Sequence, residues 1–531
     1  MPIIVKEIKL PLDSDDNSLL KAAAKKLSID SNRISRFRIL KQSVDARKKT
    51  NVHFSYTLYV YLKNAKEEEG MPGFEMESLT DAQALPTGEN ELHERPIIVG
   101  AGPCGIFCAS LLSEYGFKPI VIERGSEMAK RESQFNDLKE SGKFLPESNV
   151  CFGEGGAGTF SDGKLTTRIK DKRVLSVLEK LVKAGAPKEI TYLAHPHVGT
   201  ENIRKAIVHL RRQAIKAGAE FRFDTKLKAI KADANQSVSS VILEDKNAKS
   251  TENTKLLIAA LGSSARDTIY MLYDSGIFIQ KKPFAIGVRI EHKRELIDKV
   301  QYGEFFSNPR LGAAEYRLSK TFNGRGVYTF CMCPGGEVIN SSCEEMAVSV
   351  NGMSHFARDM ENSNSAVVVT VNEEDMDKSP LSGIELTRKW EKVCFDMAKG
   401  YGAPASRLED FLIGRAGKHF GAIKPSIKPY AKLSNVSECL PDFITHSLCQ
   451  GIKAFGKSFR GFDDGDAVLT AIESKTSSPV RILRGEDYQS VSLKGFFPAG
   501  EGAGYAGGIV SAAVDGLKIA EYIIRNYKPC Y

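Results

Sequence analysis

The amino-acid sequence predicts an α/β protein in three parts. These are a small N-terminal α/β domain, a doubly wound parallel-sheet domain, and an α+β domain inserted into the sheet domain. Two observations predict this organisation. After Arg95, short apolar strands alternate with helical stretches, which is typical of a parallel sheet. Near the C-terminus, a strand at 495–498 leads to a glycine-rich helix start at 505–510, so the chain returns to the parallel-sheet domain.

The length and the changes of pattern set the domain boundaries. A chain of 531 residues is long enough for about two to four domains. We place the N-terminal domain at 1–65, a linker at 66–94, the sheet domain at 95–265 and 455–531, and the inserted substrate domain at 266–454. Within the insertion, residues 284–291, 328–333 and 366–371 are predicted strands.

The N-terminal segment has the pattern of a small sheet covered by one helix. Its alternating and helical stretches follow the order strand, helix, strand, strand, at 5–10, 17–27, 36–40 and 53–62. The linker that follows is rich in charge, proline and glycine and lacks periodicity. Nothing in the N-terminal segment indicates catalysis.

Composition excludes several classes of protein. With 42% hydrophobic and 26% charged residues, the chain is an ordinary globular protein. No apolar run reaches the roughly 18 residues of a membrane span, and the start lacks the pattern of a signal peptide, so we expect a cytoplasmic protein. The net charge of +8 comes from dispersed Lys and Arg, which favours a solvated surface over a nucleic-acid partner. No His, Asp or Glu cluster has metal-ligand spacing, so no metal is expected.

A phosphate-binding turn follows the first strand of the sheet domain. The apolar strand at 96–99 leads directly into Gly100-Ala101-Gly102-Pro103-Cys104-Gly105, a helical stretch follows, and a second strand ends at Glu123. The first glycine allows the tight turn, the second lets the backbone approach a pyrophosphate, and the third lets the helix pack on the strand. The helix N-terminus attracts phosphate, and the acid can accept hydrogen bonds from ribose hydroxyls. This pattern predicts a Rossmann-like dinucleotide site, with Cys104 as a small packing residue in the turn.

Two further features favour FAD over NAD as the nucleotide. Gly500 and Glu501 follow a late strand, and Gly508 and Ile509 open the next helix. In FAD proteins such an element closes the nucleotide domain, with its acid at the ribityl chain and its helix N-terminus at the flavin. In addition, a buried-type strand at 255–261 ends in Gly262, as before the exit to a substrate domain.

These motifs identify a resemblance to a known family. The chain resembles the bacterial FAD-dependent, or NAD(FAD)-utilising, dehydrogenases of the glutathione-reductase-type FAD superfamily, over most of its length from Arg95. The matching segments are 100–105, 152–165, 195–200, 352–354, 476–481 and 498–516, with 43–49 similar in the N-terminal domain. The resemblance implies a FAD/NAD(P)-binding fold and FAD as cofactor, but it does not define the reaction.

The resemblance also implies which residues contact FAD. The pyrophosphate would lie on Gly100, Gly102, Pro103, Cys104 and Gly105. Glu123 and Arg124 would lie at the adenosine ribose, and Leu227 would offer backbone groups to the adenine. Gly155, Gly156, Thr159 and Ser161 would lie along the flavin. Gly262, Gly500, Glu501, Gly508 and Ile509 would complete the site towards the ribityl chain and the ring carbonyl edge.

Several residues near these motifs are candidates for a role in chemistry. Lys164 ends a segment with five glycines at 152–165, and a cation there would stabilise reduced flavin. His195 and His197 are candidate proton carriers, with a structural loop as the alternative. Arg481 is a candidate clamp for a substrate carboxylate or phosphate. No catalytic acid or base can be assigned.

The cysteines argue against a dithiol mechanism. None of the ten cysteines lies in a C-x-x-C pair, and the C-x4-C pair of disulfide reductases is absent. Cys331-Met332-Cys333 places two thiols close in sequence. We interpret them as strand residues facing one way, with a redox or metal role as the alternative.

The sequence thus predicts an FAD-dependent oxidoreductase, a dehydrogenase or reductase, that transfers hydride through flavin to or from an unidentified small substrate. NAD(P)H is a possible donor, and it would dock without a second nucleotide domain, since 165–262 contains no second GxGxxG. The alternatives are a flavin-dependent RNA-modifying protein, a monooxygenase and a non-catalytic flavin-binding redox sensor.

Overall fold

The N-terminal domain is a twisted sheet with one helix packed on it. The computed structural model describes residues 2–63, 75–76 and 85–531, so most of the predicted linker at 66–94 lies outside the described residues. The helix Asp16–Leu27 begins after Asp15, whose carboxylate accepts the Ser18 N–H at 2.8 Å. In sheet order the strands are Ile34–Asp45, His53–Leu62, Ile3–Leu10 and Glu75–Met76. The predicted strand-helix-strand-strand order is confirmed.

A five-stranded parallel sheet forms the centre of the next domain. Its neighbouring strands pair in parallel throughout. In sheet order they are Phe496–Pro498, Leu257–Ala259, Ile97–Val99, Ile120–Ile122 and Glu220–Arg222. The C-terminal strand therefore joins the same sheet as the first strand of this domain, as the sequence predicts.

The two faces of the parallel sheet are covered differently. The helices Pro103–Glu114, Gly199–Lys216 and Ile509–Asn526 share one apolar core with one face. A three-stranded antiparallel sheet covers the other face, formed by Lys226–Ala232, Val238–Glu244 and Lys249–Asn253. A doubly wound sheet would carry helices on both faces. Here Asp233 accepts the N–H groups of Asn235 and Ser237, which closes a tight hairpin and keeps this stretch in strands.

The inserted domain contains a seven-stranded sheet. In order its strands are Ser319–Phe322, Arg325–Cys333, Asn362–Val371, Phe284–Lys293, Val468–Glu473, Ala403–Arg407 and Ala431–Leu433. The three predicted strands are present. The predicted end of the insertion at 454 is wrong, because Val468–Glu473 pairs with Phe284–Lys293 inside this sheet. All six of its residues are buried, and such an apolar run gives no sign of the sheet to which it belongs.

The remaining elements surround these sheets. The helices are Met128–Ser141, Arg173–Lys183, Arg266–Asp274, Arg294–Tyr302, Ser382–Ala398, Leu408–Leu412 and Asp442–Ser458. The paired strands are Ile279–Lys281 with Val480–Ile482, Glu337–Asn340 with Val350–Met353, and Asn90–Leu92 with Tyr527–Pro529. The last pair attaches the end of the predicted linker to the C-terminus of the parallel-sheet domain. None of the helices in the described residues is both long and apolar enough to cross a membrane.

The N-terminal domain contacts both of the other domains. Its buried residues, Phe54 and Leu58 among them, belong to the same apolar core as Phe284 and Val327 of the inserted domain. On another side, Gln42 forms two backbone hydrogen bonds of 2.8 Å, to the carbonyl of Tyr192 and from the N–H of Ala194. The strand that contains Gln42 is thereby held against the parallel-sheet domain.

Candidate functional site

The turn after the first parallel strand has the geometry of a phosphate cradle. Gly100 has a φ of 107°, and a Cβ there would lie 2.2 Å from the carbonyl oxygen of Ala260. At Gly105 a Cβ would lie 1.9 Å from the oxygen of Gly100, so both positions require glycine. At Gly102, by contrast, the nearest atom to a Cβ is the Gly156 Cα at 4.0 Å. The open space beside Gly102 therefore adjoins the N-terminus of the helix that begins at Pro103.

The carboxylate of Glu123 connects this turn to the glycine-rich segment. It is buried and accepts the N–H groups of Ala101, Gly125 and Gly153, each at 2.9 Å. Two carboxylate oxygens offer about four acceptor sites, so one remains for a ribose hydroxyl. The acid expected at the ribose also holds the two loops together.

Arg124 and Leu227 are the residues predicted to lie at the adenosine. The Arg124 guanidinium donates to Glu147 at 2.7 Å and to Asp267 at 2.8 Å, and it covers the ring of Phe152 at 4.1 Å. Leu227 is buried in the adjoining antiparallel sheet. The Arg124 charge is therefore already paired, which leaves its flat face as the surface for a ligand.

The glycine-rich segment lies directly on the phosphate turn. The N–H of Gly155 donates to the carbonyl of Ala101 at 2.7 Å, and a Cβ on Gly156 would lie 3.3 Å from the Gly102 Cα. Thr159 is fully buried, and its hydroxyl donates to the carbonyl of Gly156 at 2.9 Å. The Ser161 hydroxyl donates to the carbonyl of Gly158 at 2.7 Å. These two side chains hold the loop in place, so the loop offers backbone to a ligand.

Arg131 is a positioning residue that the sequence analysis missed. Its side chain is fully buried beneath the glycine-rich segment. The guanidinium donates at 2.6–3.0 Å to four carbonyl oxygens and one hydroxyl, those of Asn149, Val150, Glu154, Gly156 and Thr159. Burial lowers the pKa of this guanidinium to about 10. An arginine in the otherwise polar helix Met128–Ser141 looks like a surface residue, so no sequence pattern indicates this role.

The C-terminal element completes the same site. The Gly500 N–H donates to Asp515 at 2.7 Å, and a Cβ on Gly500 would lie 3.1 Å from the Cβ of Cys104. Cys104 is buried there, and burial raises the pKa of its thiol, which fits a packing residue. The helix N-terminus at Gly508 and Ile509 reaches the glycine-rich segment, since a Cβ on Gly158 would lie 2.9 Å from the Ile509 side chain.

Glu501 is the acid of this element, and its ionisation is unfavourable. Ser263, next to Gly262, donates a hydrogen bond to its carboxyl group at 3.2 Å. Burial raises the pKa of Glu501 to about 7 despite that bond and the nearby Lys282. The carboxyl group therefore changes charge near neutral pH.

We expect the stability of FAD-free protein to depend on Glu501. Because the pKa rises from 4.5 to about 7 on folding, the folded chain holds this proton more tightly, and stability is lost as the pH rises from 4.5 through 7. The loss is about 3 kcal/mol at most. Glu501→Gln should remove this slope in urea unfolding measured across that range. The exposed-residue control Glu486→Gln should keep it, and identical profiles for Glu501→Gln and the native chain would contradict the assignment.

A large cavity lies between the three domains. Its volume is about 2080 Å³. Each domain contributes to its wall: 42–47 and Lys49 from the N-terminal domain; Lys164, His195, His197, Gly507, Gly508, Val510 and Ser511 from the parallel-sheet domain; and Tyr328–Met332 with Arg358 from the inserted domain. The place of the N-terminal domain at this cavity could not be predicted from its sequence pattern, because it depends on long-range packing.

Of the side chains predicted to take part in chemistry, three line this cavity and one does not. The Lys164 ammonium lies 3.3 Å from Glu315, whose other oxygen is 3.9 Å from His195. His197 stacks on Phe356, and burial lowers the pKa of its imidazole. Arg481 does not line the cavity; it donates to the carbonyl of Gly504 at 3.2 Å, while its buried Nε lacks a partner among the described residues. Lys164 and the two histidines are thus brought together, and Arg481 lies behind the C-terminal turn.

Comparisons with known proteins identify the cofactor domain. An FAD binding domain family matches residues 95–133, and a family described as "FAD-dependent protein, C-terminal domain-like" matches residues 283–476. A domain of unknown function matches residues 2–61. An uncharacterized protein of Clostridium beijerinckii is 43% identical over 99% of both chains.

Solved structures with a similar fold are distant. A flavin-dependent brominase has 13% identity and a TM-score of 0.36, with 81% of this chain and 80% of that chain covered. The L-amino acid deaminase from Proteus vulgaris has 11% identity and a TM-score of 0.36, with 84% and 98% covered. At these values the likeness carries no conclusion about the reaction.

FAD is the cofactor of this chain. The residues present fit it. The space at Gly102, Gly262, Gly507 and Gly508 is open, with nothing closer than 4.0 Å to an added Cβ. The buried Nε of Arg481 and the carboxyl group of Glu501 are polar groups suited to a hydroxylated or anionic ligand.

Proposed function

Since this chain belongs to one family with the Clostridium beijerinckii protein and has FAD as its cofactor, we propose that it is an oxidoreductase that transfers hydride between FAD and a small substrate in the cavity. The cavity carries this proposal, because it is lined both by the helix start expected to face the flavin, at 507, 508, 510 and 511, and by the strand at 328–332 of the inserted domain. Bound FAD supplies two-electron redox chemistry, and the protein positions the substrate and tunes the ring.

The charges beside the cavity support this assignment. Lys164 and Gly508, at the positive end of the helix Ile509–Asn526, both line the cavity, and each would favour an anionic, reduced ring bound there. Glu315 holds Lys164 in place, and Arg358 lies 3.0 Å from the same carboxylate. The side chains thus fix a cation where negative charge develops.

The electron donor is proposed to be NADH or NADPH, entering through the cavity. The test is an absorbance spectrum of the purified protein, followed by anaerobic addition of each nucleotide. Flavin bands that bleach support the proposal and identify the donor. Bands that persist with both nucleotides and with organic donors would favour a non-catalytic redox sensor, and RNA retention that weakens with salt would favour an RNA-modifying protein. Protein that cannot be reconstituted with FAD would overturn the proposal.

Replacing Lys164 with methionine is expected to make the flavin harder to reduce. Loss of one nearby cation should lower the two-electron potential by about 30 mV, equivalent to about 1.4 kcal/mol. The measurement is anaerobic titration against a reference dye. The control is Lys170→Met. Lys170 is exposed, lies six residues after Lys164 and does not line the cavity, so its replacement should leave the potential unchanged. Equal potentials for both variants would place Lys164 away from the ring.

A further inference from the structure

Two thiols meet in the wall of the cavity at a break in a strand. In a regular strand, residues two apart have Cα atoms about 6.6 Å apart, near the upper limit for a disulfide. The strand Arg325–Cys333 is not regular here, because two residues lie between Phe330 and Cys333, whereas only one lies between their partners Ala366 and Asn364. Cys331 has a φ of 43°, a left-handed conformation that is rare outside glycine. The Sγ of Cys333 thereby lies 3.5 Å from the carbonyl oxygen of Cys331, and the two thiols act on each other.

The surrounding residues hold this distortion. Arg289 is fully buried, pairs with Glu473 at 2.7 Å, and donates to the carbonyl of Cys331 at 2.7 Å. A Cβ on Gly352 would lie 2.7 Å from the Sγ of Cys333, so glycine leaves room for this thiol. Strained backbone of this kind persists only where the surroundings fix it, and it is concentrated at functional sites.

The two cysteines differ in the way that a reactive pair requires. Cys331 is partly exposed and lines the cavity, whereas Cys333 is buried behind it. The hydrogen bond from Cys333 and the charges of Arg289 and Lys164 lower the pKa of the Cys331 thiol, against burial and Asp162. The same hydrogen bond and burial raise the pKa of Cys333. A thiolate in a partly exposed, electropositive place is a nucleophile.

We propose that Cys331 and Cys333 are a redox-active thiol pair that exchanges two electrons with FAD across the cavity. In the oxidative direction, an Sγ–Sγ bond forms between the two residues and the S–H bond of Cys333 breaks. Its proton and two electrons pass to FAD, which becomes reduced; the reverse step restores the thiolate and the thiol. Cys331 lines the same cavity as Gly507 and Gly508 of the C-terminal element. The electron exchange rests on the proposed function, whereas disulfide formation does not.

Another cysteine pair in the chain provides a matched control. Cys394 and Cys439 also lie in contact, but both are fully buried in the apolar core of the inserted domain. Burial raises the pKa of Cys394, with no cation acting on it. This pair should stay reduced under conditions that oxidise the pair in the cavity wall.

The first experiment follows the thiols and needs no activity. The purified protein is equilibrated in dithiothreitol buffers of increasing oxidised fraction, free thiols are blocked with N-ethylmaleimide, and the peptides are analysed by mass spectrometry. We expect Cys331 and Cys333 to become unavailable to the reagent together, while Cys394 and Cys439 remain modified. Modification of both cavity thiols at every ratio would overturn the proposal without reference to the bound flavin.

The second experiment counts electrons in protein that holds FAD. A thiol pair is a two-electron couple, so oxidised native protein should take up about twice as many electrons per flavin as Cys333→Ser in anaerobic dithionite titration. Cys394→Ala should match the native protein. Equal uptake by the native chain and Cys333→Ser would overturn the exchange with FAD. If no external donor reduces the flavin but Cys331 and Cys333 still form a disulfide, only the proposed function is contradicted.

Discussion

Replacing Gly102 with aspartate is expected to weaken FAD binding strongly and to leave the fold intact. The nearest atom to a Cβ at this position is 4.0 Å away, so the protein itself accommodates a side chain. The carboxylate, however, would stand at the helix N-terminus where the pyrophosphate is expected, and two like charges would meet there. We expect FAD affinity to fall by about 100-fold or more, equivalent to about 2.8 kcal/mol. Reconstitution of FAD-free protein, followed by flavin fluorescence, measures this.

The control for this variant separates charge from size. Gly102→Asn adds a side chain of the same shape without the negative charge, so it should weaken FAD binding less than Gly102→Asp. Far-ultraviolet circular dichroism should be unchanged in both. If both variants bind FAD as the native protein does, the pyrophosphate does not lie at Gly102.

Replacing Arg131 with methionine is expected to cause the largest loss of stability. The buried guanidinium is a hydrogen-bond donor to four carbonyl groups and one hydroxyl of the segment 149–159. Methionine leaves those acceptors buried without partners, and a broken buried network costs about 3–5 kcal/mol. The glycine-rich segment should lose its shape, so FAD should dissociate as well. Urea unfolding and the flavin content of the purified protein measure the two effects.

Two variants test whether the hydrogen bonds of Arg131 are responsible. Arg212 is exposed on the helix Gly199–Lys216, and Arg212→Met should change stability by less than about 0.5 kcal/mol. Arg131→Lys keeps the charge but not the planar fork of donors, so it should remain strongly destabilised. A native-like Arg131→Lys protein would show that charge alone is sufficient at this position.

The sequence predicted the features that depend on local pattern. The turn at 100–105 could be found because three glycines at a fixed spacing stand directly between an apolar strand and a helical stretch, which is a local pattern. Glu501 could be found because an acid after a late strand and before a glycine-rich helix start is itself a local pattern. The strand-helix-strand-strand order of the N-terminal domain followed from side-chain periodicity, which strands and amphipathic helices impose directly.

What escaped prediction depends on distant partners. Residues 468–473 were placed in the wrong domain because their pairing with Phe284–Lys293 joins residues far apart in the chain. The role of Arg131 depends on the path of the loop at 149–159. The meeting of Cys331 and Cys333 depends on a strand irregularity fixed by Arg289, which sequence spacing does not reveal. Each is a tertiary property.

The two backbone hydrogen bonds of Gln42 connect the N-terminal domain to the parallel-sheet domain and have a mechanical consequence. The sheet domain is joined to the inserted domain by the chain, the inserted domain shares its core with the N-terminal domain, and Gln42 fastens the N-terminal domain back to residues 192 and 194. Three bodies connected in a closed ring resist bending more than two bodies on a hinge. We therefore expect ligand exchange to involve side chains and loops at the rim of the cavity more than movement of one domain against another.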